Sequence, residues 1–144
     1  MTALLVGLGG MLGGSLRYTL GLLVPAPHGF PLATLMINLV GAFFLPLWTQ
    51  YLGLKLKLPE RWILAGGTGF CGAFTTFSSF SLDALKLLQR QQFGAAFSYI
   101  LISAVGGLGL SLLAVTIAQH QYHTGVHEGD NQLLQDIDKS GVKK

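Results

Sequence analysis

Four stretches of about twenty apolar residues each, joined by short polar segments, constrain this chain more than any other feature, because about twenty such residues is what a helix needs to cross a bilayer. They cover residues 3–24, broken only by Arg17; 31–52, which contains Asn38; 62–82; and 93–118. Backbone groups in lipid must be paired within the segment, so spans this apolar are predicted to be helices. The charge content agrees. Only 10% of the 144 residues are charged, against about 25% in a soluble domain. So few charges cannot cover the surface of a water-soluble globule.

The joints are where such a chain should turn. Pro25 and Pro27 follow the first span, Lys55, Lys57, Pro59, Glu60 and Arg61 the second, and Lys86 and Arg90 the third. The first span lacks the positive n-region of a cleaved leader and its apolar run is too long for one. It is read as a retained span. The net charge of +3 forms no basic stripe and makes no case for nucleic acid. The single cysteine, Cys71, excludes an intrachain disulfide and reads as a small packing residue. The expected organisation is a four-helix membrane domain over 1–118 and a polar tail over 119–144. His120, His123 and His127 in that tail read as scattered histidines rather than a metal site.

Glycine recurs within the spans, with Gly9 and Gly13, and Gly10 and Gly14, at the four-residue spacing that lets membrane helices approach closely. Such surfaces on several spans favour an oligomer.

The third span carries the most chemistry. Gly67-x-Gly69-x-x-Gly72 fits the dinucleotide-binding pattern, but that site needs a preceding strand and an acidic residue about 20 positions on. Asp83 comes too early. Six Ser/Thr residues between Thr68 and Ser81, following a run of glycines, make a poor continuous helix. A broken helix would free backbone groups, which is tolerated within a membrane only where they face protein or a water-filled cavity. Such breaks recur at ion sites. Phe77 and Phe80, three apart, share a helix face. Their positive ring edges could line an anion path, or the rings could be ordinary packing.

The other spans add polar groups. Thr34 and Asn38 share one face of the second span, where Asn38 is either helix–helix glue or a ligand donor. Tyr99, Ser103, Gly107 and Ser111, each four apart, form a hydroxyl stripe interrupted by a glycine. It serves either interhelical bonding or an anion stripped of water. Arg17 has no acid in the middle of any span to pair with, which points to an aqueous anion vestibule.

These residues resemble the Fluc (CrcB-type) bacterial fluoride channel family over about residues 4–118. Gly13-Gly14-Ser15-Leu16-Arg17-Tyr18, Thr34-Leu35-Met36-Ile37-Asn38-Leu39-Val40-Gly41 and, most specifically, Gly69 through Ser81 are similar to its first-, second- and third-helix motifs. The resemblance implies an all-α, four-helix membrane protein with its third helix broken near the middle. It implies an antiparallel, dual-topology dimer, of this chain alone or with a sister chain, and passive fluoride export across the cell membrane. A structural sodium ion at the dimer interface would be held by backbone carbonyls at Gly72 and Thr75. Phe77, Phe80, Asn38, Thr76, Ser79, Tyr99, Ser103, Ser111 and Arg17 would line or approach the fluoride pathway. Gly107 stands where the family usually has a hydroxyl.

Two rivals belong to other classes. A small multidrug-type transporter needs an embedded carboxylate, and Asp83 is expected at the end of its span. A non-transporting assembly subunit would explain the glycines but not the Thr/Ser/Phe run. No nucleophile–base pair or paired carboxylates suggest an enzyme.

Overall fold

The computed structural model describes residues 1–120, without the side chains of Leu52 and Leu54. His123, His127 and the expected polar tail from residue 121 onward lie outside the described residues. Within them the chain is all helix and turn, with no strand. Helix α1 is Thr2–Leu23. It stops where Val24 turns extended (φ −85°, ψ 116°), as a residue before proline should. A short 3-10 turn, Pro27–Gly29, leads into α2 (32–55). This helix widens into a π turn, Leu47–Leu52, directly after Pro46, whose missing N–H breaks the α-helical ladder. Helix α3 (60–74) starts on Pro59 and Glu60 and contains a second π stretch, Ala65–Cys71. Helix α4 is Phe77–Gln89 and α5 is Phe93–His120, with a third π turn at Ile102–Gly106.

The third span is thus two helices. Its second piece runs seven residues past the expected end at Leu82. Asp83 therefore lies in the middle of α4, half-buried, and not at a helix end. The helical hydrogen bonds continue past Leu82 because no breaker intervenes before Arg90.

Helices α1 and α3 meet backbone to backbone. A Cβ on Gly9 would collide with the Ala65 carbonyl oxygen, one on Gly13 with that of Phe70, and one on Gly69 would lie 2.5 Å from Val6 O. Gly14 faces open space, so only the Gly9/Gly13 pair is used inside the chain. Beside this seam, Phe74 is buried and stacks on Phe70 at 5.7 Å. A second core joins α2, α4 and α5 through Leu35, Ala84, Leu87, Ala96 and Tyr99, with Phe30, Leu39 and Phe80 against it.

The outside is apolar. Leu4, Met11, Leu12, Leu22 and Leu23 on α1, and Phe93, Phe97, Val105, Leu108 and Leu112 on α5, are all exposed. A soluble monomer rarely shows so large a contiguous apolar surface. Leu32–Tyr51 and Phe93–His120 are long and apolar enough to cross a membrane. Helix α4, at 13 residues, is only about 20 Å long and cannot cross a core of about 30 Å alone.

Candidate functional site

The site is built around the gap between α3 and α4. Thr75 (φ −75°, ψ 159°) and Thr76 (φ −151°, ψ 118°) are extended. Helix α3 closes when the Thr75 N–H and hydroxyl both donate to Cys71 O, at 3.0 and 2.9 Å. Helix α4 opens on Thr76 as its N-cap, with Thr76 Oγ1 accepting from Ser79 N–H at 3.1 Å and donating to Ser79 Oγ at 3.0 Å. That places a polar oxygen on a helix's orphan N–H, the ordinary N-cap arrangement. Ser81 back-bonds to Phe77 O at 3.0 Å. The dense Ser/Thr run therefore does two jobs: Thr75 and Ser81 fold back on their own helices, while Thr76 and Ser79 cap a new one.

Asn38 spans the gap from α2. Its Nδ2 donates to Thr76 O at 3.0 Å, and its Oδ1 accepts from Thr76 N–H at 2.9 Å. Of the two readings its sequence position left open, helix–helix bridging is the one these bonds describe.

The end of α3 leaves the carbonyl oxygens of residues 72–75 without their helical donors, Gly72 O and Thr75 O among them. In a continuous helix Gly72 O would receive the Thr76 N–H and Thr75 O the Ser79 N–H. Asn38 and the Thr76 hydroxyl take those donors instead. Both Gly72 and Thr75 line a groove of about 790 Å³ that also exposes Asn38, Thr76, Phe77, Phe80 and Ser103. Gly72 is right-handed helical (φ −62°, ψ −33°), and a Cβ there would meet nothing within 4 Å. The backbone kink thus falls on the two threonines and not on this glycine.

Phe77 and Phe80 stand on adjacent turns with ring centroids 5.9 Å apart. Phe77 is 80% exposed. Phe80 is half-buried and lies 5.2 Å from the ring of Tyr99, which is wholly buried. The Tyr99 hydroxyl and Ser103 Oγ are buried without a partner at hydrogen-bond geometry. Ser111 is half-buried and not among the groove residues. Arg17 is half-buried on α1, its Nε also buried without a partner, and it too lies outside the groove lining.

One polar cluster escaped the sequence reading. Thr34 Oγ1 donates to Asp83 Oδ2 at 2.8 Å, Lys86 Nζ approaches Asp83 Oδ1 at 3.8 Å, and Tyr99 faces the same pair. A signal existed: Asp83 lies six and three residues after Phe77 and Phe80, on their side of α4.

Similarity to known proteins is extensive. A "Fluoride-specific ion channel FluC 1" from Latilactobacillus sakei subsp. sakei is 53% identical over 112 residues, covering 78% of this chain and 83% of the relative. One of the same name from Bacillus cereus is 43% identical over 129 residues, covering 88% and 90%. A "Fluoride-specific ion channel FluC 2" from Listeria innocua is 40% identical over 130 residues, covering 90% and 100%. The chain matches the family described as CrcB-like protein, Camphor Resistance (CrcB), over residues 4–115, and it belongs to that family.

Proposed function

We propose that this chain is a fluoride-specific channel, and that it conducts fluoride passively across the cell membrane as a multi-pass protein. Family membership and the names of its relatives support the ion. The observation that carries the reading to particular residues is the wall beside Phe80. There Phe80 and the Ser103 hydroxyl line the same groove, and Ser103 Oγ is buried without a partner among the described residues. An unpaired buried hydroxyl costs about 1–3 kcal/mol, a cost that a passing anion would offset by accepting its hydrogen bond. Phe77 and Phe80 would present ring edges to the ion, with Thr76, Ser79 and Asn38 setting the backbone beneath them. Ser111 and Arg17 would lie toward the ends of the path.

A second protomer fits the same geometry. The groove is open on one side, Phe77 is exposed in it, and Gly72 leaves room for a close neighbour. Gly72 O and Thr75 O suit a hard cation such as sodium, which carbonyls at broken helices coordinate. Two oxygens are too few to replace its water shell, so two antiparallel chains, identical or sister, would complete it.

The test is efflux from liposomes holding only this purified chain. Fluoride should leave quickly and chloride should not. Equal fluxes would reject the selectivity, and no flux would leave the heteromer or assembly-subunit reading. Asp83 is the embedded carboxylate that a multidrug-type transporter would need. Proton-coupled cation export without fluoride flux would support that reading instead.

A further inference from the structure

The Asn38 side-chain amide pairs with a single peptide unit, donating to Thr76 O and accepting from Thr76 N–H, at 3.0 and 2.9 Å. Two-point pairing fixes orientation as well as distance. It also falls on the residue whose conformation separates the helices. We propose that Asn38 is a positioning residue that holds the gap between α3 and α4, and by doing so keeps the Gly72 carbonyl unclaimed.

The alternative backbone is close at hand. Without Asn38, the Thr76 N–H would be free to close on Gly72 O, four residues back, and continue α3. Thr76 would then leave its extended conformation (φ −151°, ψ 118°). An N-cap residue must be non-helical, so the cap on Ser79 would be lost and the base of α4, with Phe77 on it, would turn. Helix α2 is built to prevent this. Leu35 and Ile37 are buried and fix its rotation. Gly41, three residues beyond Asn38, lets α2 approach so closely that a Cβ there would collide with Thr75 Cγ2. The asparagine side chain supplies both the donor and the acceptor at this distance. Aspartate keeps the acceptor alone, and leucine keeps neither.

The experiment uses the full chain, ¹³C,¹⁵N-labelled, in fluoride-free lipid bicelles, and reads the backbone chemical shifts of Thr76, which report whether it is extended or helical. They should be extended in the parent, move to helical values in Asn38→Leu and move partway in Asn38→Asp. Shifts in the middle of α5 should hold. Extended Thr76 shifts in Asn38→Leu overturn the proposal. So do parent shifts that become extended only when fluoride is added, since that would make Asn38 an anion ligand. If Asn38→Leu is not monodisperse, Asn38→Asp decides. A second arm rests on the sodium reading above. The sodium concentration giving half-maximal thermal protection should rise about tenfold in the same variants. Helical Thr76 shifts with unaltered sodium protection would overturn the link to Gly72. Absence of sodium protection in the unmodified protein would sink the cation reading, while the shift arm still decides the clamp.

Discussion

Two seams run through this molecule and are made in opposite ways. The seam between α1 and α3 is backbone against backbone, with Gly9, Gly13 and Gly69 leaving no room for a side chain. The seam joining α4 to α2 and α5 is made of large side chains, Leu35, Leu87, Phe80 and Tyr99, with polar bonds from Thr34 and Asn38 inside it. In lipid there is little hydrophobic force between helices, so close approach and buried polar bonds have to hold them. One seam uses the first device and the other uses both. The glycine seam tolerates no added atom; the mixed seam holds the groups that can act on an ion.

The harshest way to break this contrast is to put side chains into the glycine seam. Gly13→Val should leave no monodisperse folded protein on size exclusion, because its Cβ would meet the Phe70 carbonyl of a neighbouring helix rather than a movable side chain. Overpacking already costs about 1–3 kcal/mol where side chains can shift. Gly14→Ala, one residue on and facing open space, should fold and gain up to about 1 kcal/mol of helix propensity. Equal damage at both positions would mean the seam is not where the helices are held.

The rings of the other seam should fail differently. Phe77→Ile and Phe80→Ile should each lower fluoride flux per folded particle at least about tenfold, since an aliphatic side chain fills much of the space but lacks the positive edge. Only Phe80→Ile should also cost stability, about 1 kcal/mol, because Phe80 is packed against Tyr99 while Phe77 is exposed. Unaltered flux in both would reduce the rings to packing and leave the path to Ser103 and Tyr99.

The pattern of these seams was only partly legible in the sequence. Helix positions followed from apolar runs and prolines: α1 ends just before Val24 and Pro25, and α5 begins at Phe93 as the spacing suggests. The break was legible as a type of event, from glycines followed by hydroxyls. Its mechanism was not. Gly72, the last glycine before the hydroxyls, is ordinary helix, and the kink sits on Thr75 and Thr76, where Asn38, 38 residues away in sequence, pairs with the Thr76 backbone. No local pattern encodes such a long-range bond. Asp83 was misplaced for a related reason. A charge at the edge of an apolar run reads as an exit from the membrane, yet Thr34 on another helix supplies the partner that keeps it inside the fold.

That pair gives a smaller test. Thr34→Val keeps the shape and removes the donor to Asp83 Oδ2. A hydrogen bond to a charged group is worth about 1.5–3 kcal/mol, and Lys86 remains 3.8 Å away, so a loss near the lower end, about 1.5 kcal/mol, is expected in thermal unfolding. Thr34→Ser should restore most of it. A Val variant as stable as the parent would place Asp83 in contact with water.

The gentlest test concerns how the seams are closed at their ends. The α2–α3 turn and the α4–α5 turn use the same device. Leu58 N–H reaches back to Gly53 O at 3.0 Å, and Gln92 N–H to Leu87 O at 3.0 Å. Each is the six-to-one bond of a helix ended by a left-handed residue. That residue is Lys57 (φ 48°) in one turn and Gln91 (φ 59°) in the other, although glycine is the usual choice. A side chain in this conformation costs about 1–2 kcal/mol, against which glycine adds about 0.5–1 kcal/mol of unfolded-chain entropy. Lys57→Gly and Gln91→Gly should therefore each stabilise the protein by about 0.5–1 kcal/mol, read as a raised unfolding temperature. Both residues are exposed and neither lines the groove, so fluoride flux should hold. The two effects should add, because the turns share no partner. A loss of stability at Gln91 alone would mean that its side chain has a structural duty that Lys57 lacks. The nearby Arg90 side chain makes that outcome easy to diagnose, since it packs 2.5 Å from where a Gly29 Cβ would stand and ties this turn to the loop after α1. Loss at Gln91 with Arg90→Ala giving the same loss would assign the duty to that tie, and the mixed seam would then be closed by side chains at its end as well as along its length.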